Sequence, residues 1–351
     1  VVCELSGERS AFPRRPIQYA IIGLKDLVKK GLDPWLCHDC GDCSITCPRQ
    51  AEPQESMKTL RRYLTAVYDW TGIAGLINRS KAWYAGLVSA VAGLVVFLIY
   101  IYHSRWVGML LSEMTSTPMG LEHMFNKIIY YTLIVVLFPF FILLTHAFRM
   151  WWFTMREEKI ALKYYLEELG SIFLHMVTHR NIGKCPQTIH RKRRVTHWLL
   201  ACGCVIMLVL VTFFLKWFQT DKILPFYHPQ RWLGYLATIG MLAGVIDIFV
   251  ERILRRSDIY KFSDFRDLMF PIMLFLTALT GILVHIFRYA GLEMATHYTY
   301  ALHIIVTTPM LLVEIPFGRW SHMIYRPLAI YFYDVKERAL GGVREEVARA
   351  A

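Results

Sequence analysis

Four cysteines stand within eleven residues, at Cys37, Cys40, Cys43 and Cys47, in the string CHDCGDCSITCPR. The spacing C-x2-C-x2-C-x3-C-P sets thiolates on one short loop at the separations that hold the irons of a [4Fe-4S] cluster, with Pro48 ending the loop. A structural zinc site is the plainer alternative, but zinc motifs are built from separated pairs. The run therefore reads as an iron–sulfur ligand loop, which belongs in a reducing compartment. In two-cluster ferredoxins the fourth cysteine of such a run ligates the other cluster, so a second cysteine group is expected. Only Cys3 is available nearby, and the opening VVCEL looks like the end of another run whose first three cysteines precede residue 1. The expectation is two clusters in the complete chain: one on Cys37, Cys40, Cys43 and Cys3, the other on Cys47 and three cysteines beyond this sequence. If the chain begins at Val1, Cys47 completes a single cluster instead. Cys202 and Cys204 read as small packing residues inside an apolar segment, and Cys185 carries no assignment.

Histidine is the second residue type that carries chemistry. Of the 13 histidines, those in long apolar segments matter most, because an imidazole in lipid is costly and paired neutral imidazoles from facing helices clamp b-type haem. His197 opens the third apolar segment and His322 closes the sixth at the same end, so the two are expected to meet across one haem. His303 lies in the other half of the sixth segment, about 28 Å from His322 if the helix is continuous at ~1.5 Å per residue. That separation suits a second haem. The expected partner of His303 is His285, near the far end of the fifth segment, with His103 and His123 as rivals and Met207 as a further one. His146 competes at the inner haem, while His228 and His297 read as loop residues. Arg149, Arg194 and Arg319 fall near the inner haem plane, where a guanidinium either pairs with propionates or anchors a helix end. Asp247, Glu251 and Glu314 are ionisable groups at membrane depth and thus candidates for proton handling in quinol chemistry. A salt bridge to Arg252 would account for Glu251 without that role.

The elements that must position these residues follow from composition. With 55% hydrophobic residues and a mean hydropathy of +0.36, the 351-residue chain is too apolar for a soluble domain of its length. Residues 1–80 are polar and broken by Pro13, Pro16, Pro34, Pro48 and Pro53, which predicts a small α-helical, ferredoxin-like head. Residues 81–335 hold apolar stretches near 82–103, 127–153, 195–218, 232–254, 265–289 and 296–322, each long enough to cross ~30 Å of hydrocarbon. The fold class is mainly α, with the head joined to a six-helix transmembrane bundle that binds haem b. Between the second and third stretches, 155–194 carries Ile160, Leu162, Leu166, Leu169, Ile172 and Phe173 at helical spacing among charges, which predicts an amphipathic surface helix. Residues 336–351 read as a cytoplasmic tail.

Lys and Arg concentrate after the second stretch, in Arg156, Lys159, Lys163 and the run Arg191–Arg194, and after the fourth, at Arg252, Arg255 and Arg256. Those sides are expected to be cytoplasmic, which places the head and both termini in the cytoplasm of a multi-pass inner-membrane protein. Trp83, Trp106, Trp151, Trp152, Trp217 and Trp232 stand near the ends of the stretches, as an aromatic belt requires. The net charge of +12 follows from this topology, and no interleaved basic and aromatic face points to nucleic acid.

The head, from Cys3 through PRRPIQYAIIGLKD to WLCHDCGDCSITCPR, resembles the small iron–sulfur subunit of heterodisulfide reductases. The stretch from His303 to PFGRWSH at His322 resembles the last haem-bearing helix of the nitrate reductase gamma subunit. A single chain joining both looks like the membrane component of the quinone-interacting membrane-bound oxidoreductase, the QmoC family. That resemblance implies two b haems, menaquinone as substrate, and QmoA-like and QmoB-like flavin and iron–sulfur partner subunits that connect to adenylylsulfate reductase. One departure stands out: the gamma-subunit family carries two histidines in the helix matching the third stretch, where this chain has His197 alone and Met207 at the corresponding depth. The expected activity is oxidation of menaquinol, with electrons passing singly through the haems to the head and on to soluble partners. Its rivals are a membrane subunit of a heterodisulfide reductase-type complex, and a transporter or scaffold with a cluster-binding regulatory head.

Overall fold

A computed structural model describes residues 12–113, 121–178, 188–218, 224–254 and 265–350. Among these the chain is all helix, without strands. The head begins with α1 (Arg14–Ile21), α2 (Lys25–Lys30) and the single turn α3 (Asp33–Leu36). The cysteine run follows, with Cys43 inside α4 (Asp42–Ile45). Asp39 and Gly41 take left-handed backbone angles, φ 56° and 84°, and so turn the chain sharply on either side of Cys40. Pro53 then opens α5 (Pro53–Tyr68) at the helix start, where its missing N–H costs nothing. Met57, Leu60, Leu64 and Tyr68 recur on one face of α5 and are buried. Asp69 ends that helix and caps the next, α6 (Ile73–Arg79): its carboxylate accepts the N–H of Thr71 at 2.8 Å and of Ala74 at 2.7 Å.

Among the described residues six helices are long and apolar enough to cross a membrane, so this is a multi-pass membrane protein. They lie in α7 (Lys81–Glu113) and α8 (Leu121–Thr154) and, after the short α9 (Leu162–Glu167) and α10 (Leu169–Thr178), in α11 (Thr188–Phe213). Past the short α12 (Leu215–Phe218) come α13 (Pro229–Leu254), α14 (Phe265–Tyr289) and α15 (Glu293–Pro309) with its extension to Phe317. Within the protein the sixth span is 50% buried and the first 11%. The sixth is therefore central and the first peripheral.

Three boundaries differ from those the sequence predicts. The sixth span does not run on to His322: Pro309 leads into a π-turn over Met310–Glu314, the short α16 (Ile315–Phe317) follows, and Gly318 breaks the helix. A Cβ at Gly318 would meet the Glu314 carboxylate and stand 3.0 Å from the Glu314 Cα, so a larger residue there would require Glu314 to shift. His322 instead opens a new helix, α17 (His322–Ala350), which absorbs residues 336–350 that the sequence reads as a separate tail. The single amphipathic helix expected over 155–194 is a 3-10 turn (Arg156–Glu158) followed by α9 and α10, which part where Glu168 takes a bridge-region conformation.

Small residues set the tightest helix pair. Added Cβ atoms would stand 2.6 Å from the Ala237 carbonyl at Gly203, 2.7 Å from the Leu199 carbonyl at Gly240 and 2.6 Å from Leu200 Cβ at Gly244. Helices α11 and α13 thus touch backbone to backbone, as small residues permit in apolar surroundings. Among the described residues the head shares its core with the bundle. Trp35, Met57, Leu64 and Tyr68 form one buried cluster with Met150 of α8 and with Tyr325, Ala329 and Phe332 of α17.

Candidate functional site

The cysteine loop is held from both sides. From the head, Arg61 on α5 donates to the carbonyls of Pro34 (2.7 Å) and Cys37 (2.6 Å), and Gln54 donates to Asp39 Oδ1 at 2.9 Å. From the bundle, Arg193 on α11 donates to the Asp39 carbonyl at 2.8 Å, and Arg326 on α17 contacts His38 Nδ1 at 2.8 Å. Burial would raise the Asp39 pKa, but the charges of Lys58, Arg61 and Arg193 and the Gln54 bond outweigh it and hold the carboxylate below its ordinary range. Asp39 is therefore an anion among cations. Cys37 is buried, while Cys40, Cys43 and Cys47 are partly exposed. The N–H of Asp39 points at Cys37 Sγ and that of Ala51 at Cys47 Sγ, each at 3.4 Å. Such N–H donors to sulfur suit thiolates that ligate iron. Among the described residues no three of His, Cys, Asp or Glu converge on a metal position. Cys3 and Cys185 lie outside the described residues.

Beneath the loop lies a cavity of ≈ 360 Å³ between head and bundle. Eight lysine and arginine side chains but only three aspartates line it, so it suits an anionic ligand. His197 and His322 both face it, their ring centres 6.4 Å apart. Two imidazole–metal bonds of about 2.0–2.1 Å, with a ring nitrogen about 1.1–1.2 Å from each ring centre, span roughly that distance. His322 Nδ1 is bonded to the Arg319 carbonyl, which leaves Nε2 for a metal. Burial pushes the His322 pKa down to about 4; the Arg319 carbonyl opposes this and the charges of Arg326, Arg61 and Arg319 add to it. The ring is neutral at pH 7, the ligating form. A haem with its two propionates fits this donor pair and this charge.

One buried carboxylate, which the sequence reading missed, anchors the cavity's cations. Asp267 at the start of α14 meets Arg62 of the head at 2.9 Å, Arg252 of α13 at 4.0 Å and Arg319. The only sequence signal was an aspartate at the mouth of an apolar stretch. Burial lowers the Arg319 pKa to about 10, with Asp267 opposing, so it stays charged at pH 7.

The other sequence candidates separate by their neighbours. Arg149 does not reach the cavity: it donates to the Val67 carbonyl at 3.0 Å and lies over Phe153. Asp247 and Glu251, one turn apart on α13, share Lys192 at 2.7 and 3.0 Å. Glu314 is fully buried in the π-turn. His303 Nδ1 meets Thr280 Oγ1 at 2.9 Å, and its ring lies against Gly281, where a Cβ would come within 3.3 Å. His285 sits one turn further along α14, with Nε2 2.8 Å from the Tyr235 hydroxyl and its ring 4.4 Å from that of Tyr289. His285 and His303 are thus taken up by different neighbours and not brought face to face. His146 is fully buried between Asp69 (3.3 Å) and the Tyr325 hydroxyl (3.0 Å), away from the cavity. Met207 packs at the edge of the bundle core. The side chains of His103 and His123 lie outside the described residues.

A heterodisulfide reductase C-subunit-like protein of Archaeoglobus profundus is 33% identical to this chain over 57 residues, 16% of the chain and 30% of that protein. The similarity is distant and partial. No family model and no solved structure matches the chain.

Proposed function

We propose that this chain is a membrane electron-transfer subunit that passes electrons between menaquinol and soluble flavin- and iron–sulfur-containing partners of the QmoA and QmoB kind, toward adenylylsulfate reductase in sulfur metabolism. The observation that carries this reading is the His197–His322 pair, 6.4 Å apart in an arginine-lined cavity beneath the cysteine loop. When bound, b haems and [4Fe-4S] clusters supply the one-electron carriers. The chain's own residues supply position and charge. His197 and His322 hold the inner haem, and Arg319, kept in place by Asp267, faces its propionates. Cys37, Cys40, Cys43 and Cys3 hold one cluster in the head, and Cys47 belongs to a second. His303, oriented by Thr280, is the ligand of a second haem, with His285 the partner proposed for it on the sequence. Asp247, at the cavity wall, and Glu251 hold Lys192 between them. Glu314, buried in the central span, is the carboxylate assigned to a quinol proton. The head and both termini face the cytoplasm, because the arginine-rich ends of the spans lie on the head side.

The test is a reduced-minus-oxidised spectrum of the purified protein, with haem and non-haem iron quantified. Two b haems are expected, and His322→Ala should lose one and keep the other. Retention of both haems in that variant would refute the inner-haem assignment, and a wild-type protein without any haem band would refute the function. The similarity over 57 residues favours a second reading, a membrane subunit of a heterodisulfide reductase-type complex. It differs in the soluble partner, so the partner that co-purifies decides between them.

A further inference from the structure

Each of the two helices that present a histidine to the cavity also grips the cysteine loop, one turn nearer the head. On α11, Arg193 precedes His197 by four residues and donates to the Asp39 carbonyl at 2.8 Å. On α17, Arg326 follows His322 by four residues and contacts His38 Nδ1 at 2.8 Å. Four residues advance a helix by about 6 Å and bring the side chains back to one face. The segment between Cys37 and Cys40 is thereby fastened to the same two rigid elements, on the same faces, as the histidine pair. Since arginine only donates, His38 Nδ1 must accept, which places the ring proton on Nε2 and orients the imidazole. Arg326 is partly buried yet charged at pH 7: burial, with the nearby Arg61 and Arg193 among the causes, lowers its pKa only to about 10.

This contact is not what docks the head. The shared core does that, with Trp35 and Tyr68 packed on Tyr325 at ring separations of 4.9 and 5.3 Å. Losing one hydrogen bond at His38 should therefore leave the head in place and loosen the loop at that point.

We propose that Arg193 and Arg326 form a clamp that holds the Cys37–Cys40 loop one helical turn from the His197–His322 pair, and that His38, gripped by Arg326, is the positioning residue that sets electron passage between the two cofactors. This rests on the electron-transfer reading above. In each passage one electron leaves one iron centre, oxidising it by one unit, and reduces the other by one. The clamp itself gains and loses nothing.

The experiment compares Arg326→Met, His38→Ala, the double variant and Arg326→Lys in the purified holoprotein. Haem and cluster contents are measured first, then the rate of electron exchange between them and the relaxation enhancement that the oxidised haem imposes on the reduced cluster's paramagnetic signal. Arg326→Met and His38→Ala should keep both cofactors, exchange electrons roughly tenfold to a hundredfold more slowly, and show weaker relaxation enhancement. The double variant should lose no more than either single one, because both break the same contact. Arg326→Lys should recover part of the rate. Wild-type exchange and relaxation in both single variants would overturn the clamp, and so would additive losses in the double. A wild-type protein with no haem band overturns the electron-transfer reading itself, which separates the two failures.

Discussion

At the residue scale, ionisable groups of one type diverge according to what surrounds them. Three carboxylates stand at similar depth, yet Asp247 and Glu251 are joined through Lys192 while Glu314 is buried in the π-turn of the central span. The histidines divide in the same way: His197 and His322 share a cavity, whereas His146 is enclosed by Asp69 and Tyr325. The cysteines carry the most specific residue-level prediction. Cys40 lies at a sharp turn of the loop, between two left-handed residues. Cys40→Ser should remove non-haem iron and the cluster's paramagnetic signal while the haem bands persist. Iron content and signal equal to wild type would show that the run is not a cluster site.

At the element scale, the placement of His197 depends on how closely α11 approaches α13. Gly244 sits opposite Thr196, the residue before His197, and Leu200, three residues after it, and an added Cβ would stand 3.0 Å from the Thr196 carbonyl. Larger side chains there would force the helices apart, at an overpacking cost of about 1–3 kcal/mol. Gly244→Leu should therefore lower haem content by displacing His197, with non-haem iron in the head retained. Full haem content would mean that α11 is positioned by something other than this contact.

At the scale of the whole molecule, head and bundle are one packed body joined at a polar point inside the shared core. Asp69 ends α5, caps α6 and faces His146 of α8, which in turn meets Tyr325 of α17. Burial raises the Asp69 pKa, but His146, Thr71 and the backbone N–H groups of Ala74 and Thr71 outweigh that and hold it below its ordinary value. A carboxylate with a lowered folded pKa adds stability that is fully present above its unfolded pKa, about 3.9. That stability is lost as pH falls through the lowered folded value. Asp69→Asn should thus destabilise the detergent-solubilised protein by about 1–3 kcal/mol at pH 7, and the gap from wild type should close as the pH falls well below 4. An equal gap at every pH would mean that the charge on Asp69 is not what stabilises the joint.

Much of this was legible in the chain because the signals are local. Apolar length alone located six spans to within a few residues, since every backbone group in lipid must be satisfied inside its own helix. The cysteine spacing marked its loop because it is a local pattern, with four cysteines within eleven residues. The depth argument also paired His197 with His322, although it assumed a continuous sixth helix that Gly318 breaks. What only the tertiary structure decided is non-local. Asp267 gathers guanidiniums from Arg62, Arg252 and Arg319, positions spread over 257 residues. Arg193 and Arg326 looked like ordinary charges at helix ends until the fold set both against residues 38 and 39. Sequence spacing reports which residues share a helix face, whereas the partner across that face is chosen by packing between helices that are distant along the chain.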